Sequence, residues 1–157
     1  RDLIFVNGFA ANDPESTEMI WNLSLERHRN IDRRVMIINC RADRPDRTLQ
    51  LAESITEWAR ADFYILIGSG SSPLLRKAVD GGIDASCMIF AERQNVSQIF
   101  EELLSVSGLQ TLFMRVGNIK GPGLELVKYF KNRVDPQDLS ASSAMVMHPI
   151  SDDAKSV

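Results

Sequence analysis

Residues 63–82 read FYILIGSGSSPLLRKAVDGG, and the fold class follows from this stretch. Phe63-Tyr64-Ile65-Leu66-Ile67 is apolar without alternation, the pattern of a strand buried on both faces. Gly68-Ser69-Gly70-Ser71-Ser72-Pro73 interrupts it. Leu74, Leu75, Ala78 and Val79 then recur at helical spacing, and Gly81-Gly82 ends the helix. A strand, a glycine-rich turn and an amphipathic helix make one β-α unit.

The same unit recurs in both directions along the chain. Leu3-Ile4-Phe5-Val6, Val35-Met36-Ile37-Ile38, Cys87-Met88-Ile89-Phe90 and residues 111–116 are further apolar runs. A helix is expected over residues 14–28, with Asp13 as its cap, Pro14 at its first position, and Met19, Ile20 and Leu23 on one side. Trp21 falls off that stripe, and partial exposure is expected for it. Leu51, Ala52, Ile55, Trp58 and Ala59 form a second helical stripe. Val96, Ile99, Phe100, Leu103 and Leu104 form another, and Leu124, Val127 and Phe130 mark the last. Five such units with short links predict an α/β fold: a Rossmann-like, doubly wound, mostly parallel sheet of five to six strands with helices on both faces. The pattern covers residues 1–133. Residues 134–157 are polar and poor in large apolar side chains, and a mobile or loosely docked tail is expected there.

Composition sets the outer bounds. The chain has 157 residues, 44% of them hydrophobic and 25% charged, which is ordinary for one globular domain. No apolar run approaches the ~18 residues needed to span a bilayer. The net charge is −3 and the pI about 5.4, against the basic character of a domain that grips nucleic-acid backbone. Two cysteines, Cys40 and Cys87, share no zinc-site spacing and read as small buried side chains. The chain opens on Arg1 and enters an apolar run at once, which we read as a piece of a longer polypeptide cut at a domain boundary.

Ligands of a doubly wound sheet bind outside the carboxyl ends of its strands. Four of the five strand exits carry polar or glycine-rich sequence, and the topology places them on one edge. The first presents Asn7, Asn12 and Asp13 around small residues, with Asp13 also suited to capping. The second packs Arg41, Asp43, Arg44, Asp46 and Arg47 into seven residues, and guanidinium forks suit carboxylates and phosphates. Its plainer reading is a solvated loop with local ion pairs and a cap at Asp46. The third, with Ser71 and Ser72 at a helix start and Arg76 one turn in, has the form of an anion-holding loop. The fifth offers Asn118 and Lys120 in G-N-I-K-G-P-G, which has neither the Walker A nor the dinucleotide spacing. The fourth, Ala91-Glu92-Arg93-Gln94-Asn95, looks bland. No histidine has a nucleophile near it in sequence, and no catalytic or metal-binding set is assigned within the chain.

Three of these segments carry a resemblance. FVNGFAANDPEST (residues 5–17), IINCRADRPDRT (37–48) and VGNIKG (116–121) resemble the ligase subunit of bacterial poly-γ-glutamate capsule synthases, in order and spacing, over about five-sixths of the chain. That subunit is similar to the Mur ligases and folylpolyglutamate synthases, whose P-loop ATPase domain precedes a Rossmann-like C-terminal domain. The resemblance implies that this chain is the C-terminal domain alone. The first segment is similar to the D-x-A-H-N-P-x-S loop beside the nucleotide, with Ala11 in place of the histidine and Asn12-Asp13-Pro14 in place of Asn-Pro. The second is similar to the G-x-x-x-D-R-D-x-x-K-R loop, which implies that Asp43, Arg44, Asp46 and Arg47 face an interdomain cleft. The third exit lies where the incoming amino acid would bind, which makes Ser71, Ser72 and Arg76 candidates for holding glutamate.

The implied reaction consumes ATP with Mg2+, both held mainly by an N-terminal ATPase domain in cis. The chain-end carboxyl of poly-γ-glutamate becomes an acyl phosphate, and the amine of glutamate displaces the phosphate. The implied partners are that ATPase domain and the membrane subunits of the synthase. The implied location is the cytoplasmic side of the cell membrane. Two other readings stay open at this point: a stand-alone module that binds a nucleotide or acidic ligand, and a scaffold domain of a capsule synthase that docks through Trp21 and the tail.

Overall fold

A computed structural model of the chain describes residues 1–8, 13–118, 120–133 and 144–147. In chain order it contains β1 (Asp2–Asn7), α1 (Pro14–Arg27), β2 (Arg33–Cys40), α2 (Pro45–Ile55), β3 (Phe63–Gly68) and α3 (Ser72–Asp80). A short 3-10 turn (Ala85–Cys87) then leads into β4 (Met88–Phe90), α4 (Val96–Val106), β5 (Gln110–Gly117), α5 (Pro122–Lys131) and β6 (Ala144–Met147).

The strands form one sheet in the order β4-β3-β2-β5-β1-β6. The first five are parallel, and β6 runs antiparallel along β1. Their continuous apolar runs have a physical cause, because both faces are covered. Leu3, Phe5, Val35, Ile37, Ile65 and Phe113 pack under α4 and α5. The alternate residues Val6, Met36, Ile38, Leu66, Leu112 and Met114 pack under α1, α2 and α3. The expected α/β fold is therefore the observed one.

Two expectations need correction. The first concerns α1. Trp21 is fully buried, while Met19 and Leu23 are 60% and 52% exposed. The inward face of α1 is Thr17, Trp21 and Ser24. The indole decides the rotation of the helix: it brings the largest apolar surface, and its N–H donates to the Ala59 carbonyl at 2.9 Å. The two buried hydroxyls are satisfied on the helix's own backbone, Thr17 to the Asp13 carbonyl at 2.8 Å and Ser24 to the Ile20 carbonyl at 2.7 Å. A docking role for Trp21 falls with its burial. The second correction concerns the tail, where residues 144–147 are a strand: the open edge of β1 is a row of unpaired backbone groups that a neighbouring segment can pair with. The remainder of 134–157 lies outside the described residues.

The core under α4 and α5 is organised around Phe130. Its ring stacks on Phe5 at 4.2 Å between centroids, meets Phe100 edge-on at 5.6 Å and lies 6.4 Å from Phe113. Phe130→Ala should lower unfolding free energy by about 3–5 kcal/mol, since it removes one α5 side chain from three partners at once. Denaturant titration checks this; a loss below about 1 kcal/mol would mean that α5 is not anchored as described.

The cysteines give a second check. Cys40 is 2% exposed, and burial pushes its thiol up to about 12, against a smaller opposite pull from Thr48. Cys87 is half-buried. Only a thiolate alkylates at a useful rate. Iodoacetamide at mildly alkaline pH should therefore modify Cys87 in the folded chain and reach Cys40 only after denaturation. Peptide mapping that finds Cys40 labelled first would overturn this.

Candidate functional site

The helices that follow adjacent strands part company at one place. The α1, α2 and α3 helices cover one face and α4 and α5 the other. Because β5 lies between β2 and β1, the chain leaves β2 toward one face and β5 toward the opposite one. In doubly wound sheets such a divergence is where a ligand crevice forms, here at the carboxyl ends of β2, β5 and β1.

The loops along this edge are tied to one another. Between the second and third exits, the Ser69 N–H donates to the Cys40 carbonyl at 3.0 Å, and the Ala42 N–H donates to the Ser69 hydroxyl at 3.1 Å. Gly70 has φ +68°, and a Cβ there would come within 2.8 Å of the Ala42 Cα, so glycine is needed at this crossing. Between the third and fourth exits, the Glu92 carboxylate accepts the Ser71 N–H at 2.6 Å and the Ser71 hydroxyl at 2.7 Å. The fourth exit is therefore not bland. Glu92 sits at the start of α3 where an external anion was expected. Ser71 is fully buried with both donors engaged, and of that loop Ser72 and Arg76 remain exposed. Local sequence around Glu92 gives no sign of a contact 21 residues away.

In the second exit, Arg41 grips Asp43 with two bonds of 2.9 and 2.6 Å. That fork holds the Asp43 carboxyl below the usual range. Arg44, not Asp46, occupies the cap position of α2, and Asp46 stands in its first turn. Proline at the first helical position sets this start. Arg44, Asp46 and Arg47 are all exposed, so two of the three arginines face solvent beside the crevice. In the first exit, Asp13 caps α1 by accepting the Ser16 N–H and hydroxyl, each at 2.8 Å, and these bonds hold its carboxyl low. Asn7 ends β1 directly opposite Arg115 in the register. Asn12 lies outside the described residues.

The fifth exit is held by two residues that the sequence reading did not single out, one in β5 and one at the end of β2. Arg115, read only as part of a strand, is fully buried and projects to the α5 side. Its guanidinium donates to the Asn118 carbonyl at 2.8 Å. Burial pushes its pKa down to about 9, so it stays protonated at neutral pH. Asn39, 1% exposed at the end of β2, donates to the Asn118 carbonyl at 2.6 Å and to the Lys120 carbonyl at 2.8 Å. In return its own carbonyl accepts the Asn118 N–H at 2.9 Å. Gly123 lies against the Arg115 guanidinium and the Asn39 amide, with no room for a Cβ. The sequence signal that marks the pair is polar: an arginine inside an apolar strand, and an asparagine at the last turn of another. Lys120 itself is exposed.

The strand exits thus present exposed Arg44, Arg47, Arg76 and Lys120, groups suited to carboxylates or phosphates, beside Asp46 and an Arg41 already forked to Asp43. Among the described residues, no group of three His, Cys, Asp or Glu side chains is placed to hold a metal ion. Among them, too, no helix is long and apolar enough to cross a membrane.

The chain is similar to the "PGA synthase CapB" of Bacillus subtilis (strain 168), 38% identical over 124 residues, which are 79% of this chain and 31% of the relative. It is also similar to the "Capsule biosynthesis protein CapB" of Bacillus anthracis, 33% identical over 127 residues, 81% of this chain and 27% of the relative. The matched region is thus less than a third of each relative's length. No solved structure matches the chain. The family model for the poly-gamma-glutamate synthase CapB C-terminal domain matches residues 1–133, and the chain belongs to that family.

Proposed function

We propose that the chain is the C-terminal domain of an ATP-dependent amide ligase that adds glutamate to a growing poly-γ-glutamate chain. The observation that carries this is the exposed pair Arg44 and Arg47 at the crevice edge, in a domain of a poly-γ-glutamate synthase family. A polymer of γ-linked glutamate presents a free carboxylate on every residue, and exposed guanidinium forks bind carboxylates and phosphates in two-pronged fashion. The names of both relatives tie the family to this polymer or to the capsule.

On this reading the domain closes over a nucleotide held by an ATPase domain upstream in the same polypeptide, in the manner of Mur ligases and folylpolyglutamate synthases. ATP supplies the phosphoryl group that activates the terminal carboxyl, and the ATPase domain supplies the ligands for Mg2+. The residues of this chain bind and orient. Arg44 and Arg47 face the anionic groups in the cleft, and Ser72, Arg76 and Lys120 hold the carboxylates of glutamate or of the polymer end. Holding amine and acyl group in register accounts for several kcal/mol of barrier reduction. The loops tied by Ser69, Glu92 and Asn39 keep those charges preorganised. We place the parent protein at the cytoplasmic face of the membrane, with the membrane subunits of the synthase as partners.

The test is made in the full-length parent polypeptide, by following ATP-dependent incorporation of labelled glutamate into polymer. Arg44→Ala and Arg47→Ala should each lower kcat/KM by about 10- to 100-fold, the equivalent of one lost charge-assisted hydrogen bond. Arg29→Ala, at the far end of α1, should leave it unchanged. Wild-type rates in both edge variants would remove the site assignment, and polymer formation without ATP would remove the ligase reading.

A further inference from the structure

We infer that Arg115 and Asn39 are positioning residues that fix how the β5 exit loop presents Lys120 to the crevice. What Lys120 contacts rests on the ligase reading; the positioning does not.

The two side chains project on the same side of the sheet from neighbouring strands. Ile37 pairs with Arg115, and Asn39 pairs with Gly117 two residues further along. They continue the row that carries Val35, Ile37 and Phe113 below, at the level where the apolar core ends and the crevice begins. Apolar side chains would pack this level without burying a charge. A guanidinium there also stands beside the first turn of α5, the positive end of that helix dipole. Packing alone therefore does not account for this choice of residues.

Their bonds do account for it. The Asn118 carbonyl accepts from both Asn39 and Arg115, and the Lys120 carbonyl accepts from Asn39. Two peptide carbonyls of one short loop are thus turned inward. A trans peptide sets its N–H opposite its carbonyl, so the Gly121 N–H is directed away from the buried pair. Gly121 takes φ +73° with open space around it, and Gly117 takes φ +91° with its backbone pressed on Asn39. Residues 118 and 120 are held from beneath by side chains that do not reach solvent, and Lys120 is exposed.

Two measurements test this. Hydrogen exchange on the 157-residue chain compares wild type with Arg115→Met and Asn39→Leu. Amides in segment 117–123 should exchange at least about tenfold faster, while those of β2 and β3 stay protected. If Arg115→Met does not fold, Arg115→Lys, which keeps the charge and loses the planar fork, takes its place. Unchanged exchange in the loop overturns the inference whatever the enzyme does. Kinetics in the full-length polypeptide then asks what the positioning serves. Arg115→Lys and Lys120→Ala should each raise KM for the acidic acceptor about tenfold with kcat nearly unchanged, and the double variant should be no worse than either. Additive effects would show that Arg115 does not act through Lys120. A wild-type protein without ATP-dependent incorporation would fell the ligase reading and leave the exchange result to decide the positioning.

Discussion

The close approach of Gly123 to the Arg115 guanidinium and the Asn39 amide sets how α5 sits on the sheet. With no Cβ in the way, the first turn of α5 lies directly over the ends of β2 and β5. One further consequence is felt two turns along the helix, where Phe130 reaches Phe5, Phe100 and Phe113. A wider stand-off would pull that ring out of its stack and open a void under α5, and packed interiors do not tolerate voids cheaply. The same contact that holds the β5 exit loop therefore also seats the core on that face. Site and stability are coupled through one glycine and two polar side chains.

The legible part of the fold was the part written in apolar runs. Each of the first five strands is a short hydrophobic stretch between turn residues, and a sheet covered on both faces demands that pattern. The rotation of α1 was not legible, because hydrophobic counting weighs Met19 and Leu23 above Thr17 and Ser24. It has no term for the indole bond to Ala59 that fixes which way the helix turns. The strand at residues 144–147 did leave a mark, the apolar run Ala144-Met145-Val146-Met147, but it was overlooked inside a polar stretch, and the sequence does not say that it pairs with the open edge of β1. At the edge of the sheet, the arginines of the second exit could be found from charge density alone. Glu92, Asn39 and Arg115 could not, since each acts through a contact with residues far away in sequence or with backbone carbonyls.

The strand exits behave as one unit because four of them are bonded side by side. Glu92 ties the fourth to the third, Ser69 the third to the second, and Asn39 the second to the fifth. Every link pairs a side chain with a neighbouring loop across the sheet direction, so no loop can move far without breaking a bond to the next. Loops on an α/β scaffold are commonly its most mobile parts. Here the glycines at 68, 70, 117 and 121, all with positive φ, let the loops bend sharply enough to meet each other. Fixed dipoles and charges at such an edge need little reorganisation when a charged ligand arrives.

On the proposed reading, the distribution of charge bears on how an acidic chain can serve an acidic polymer. The net charge is −3, yet Arg44, Arg47, Arg76 and Lys120 stand exposed at the strand exits. Glu18 and Glu26 lie further along the outward face of α1, around Met19 and Leu23, while Glu15 stands in its first turn beside the first exit. Screening at physiological salt confines each patch to about 8 Å, so a ligand at that edge senses Arg44, Arg47, Arg76 and Lys120 together with Asp13, Asp43 and Asp46, and little of the more distant charges. A uniformly basic domain would also attract nucleic acid and anionic lipid without discrimination. On the proposed reading, the exposed Arg44, Arg47, Arg76 and Lys120 give a polyanion its points of attachment on an overall negative surface. That is the requirement such a reading places on a domain that must grip the end of a long polyglutamate chain and let its length trail free.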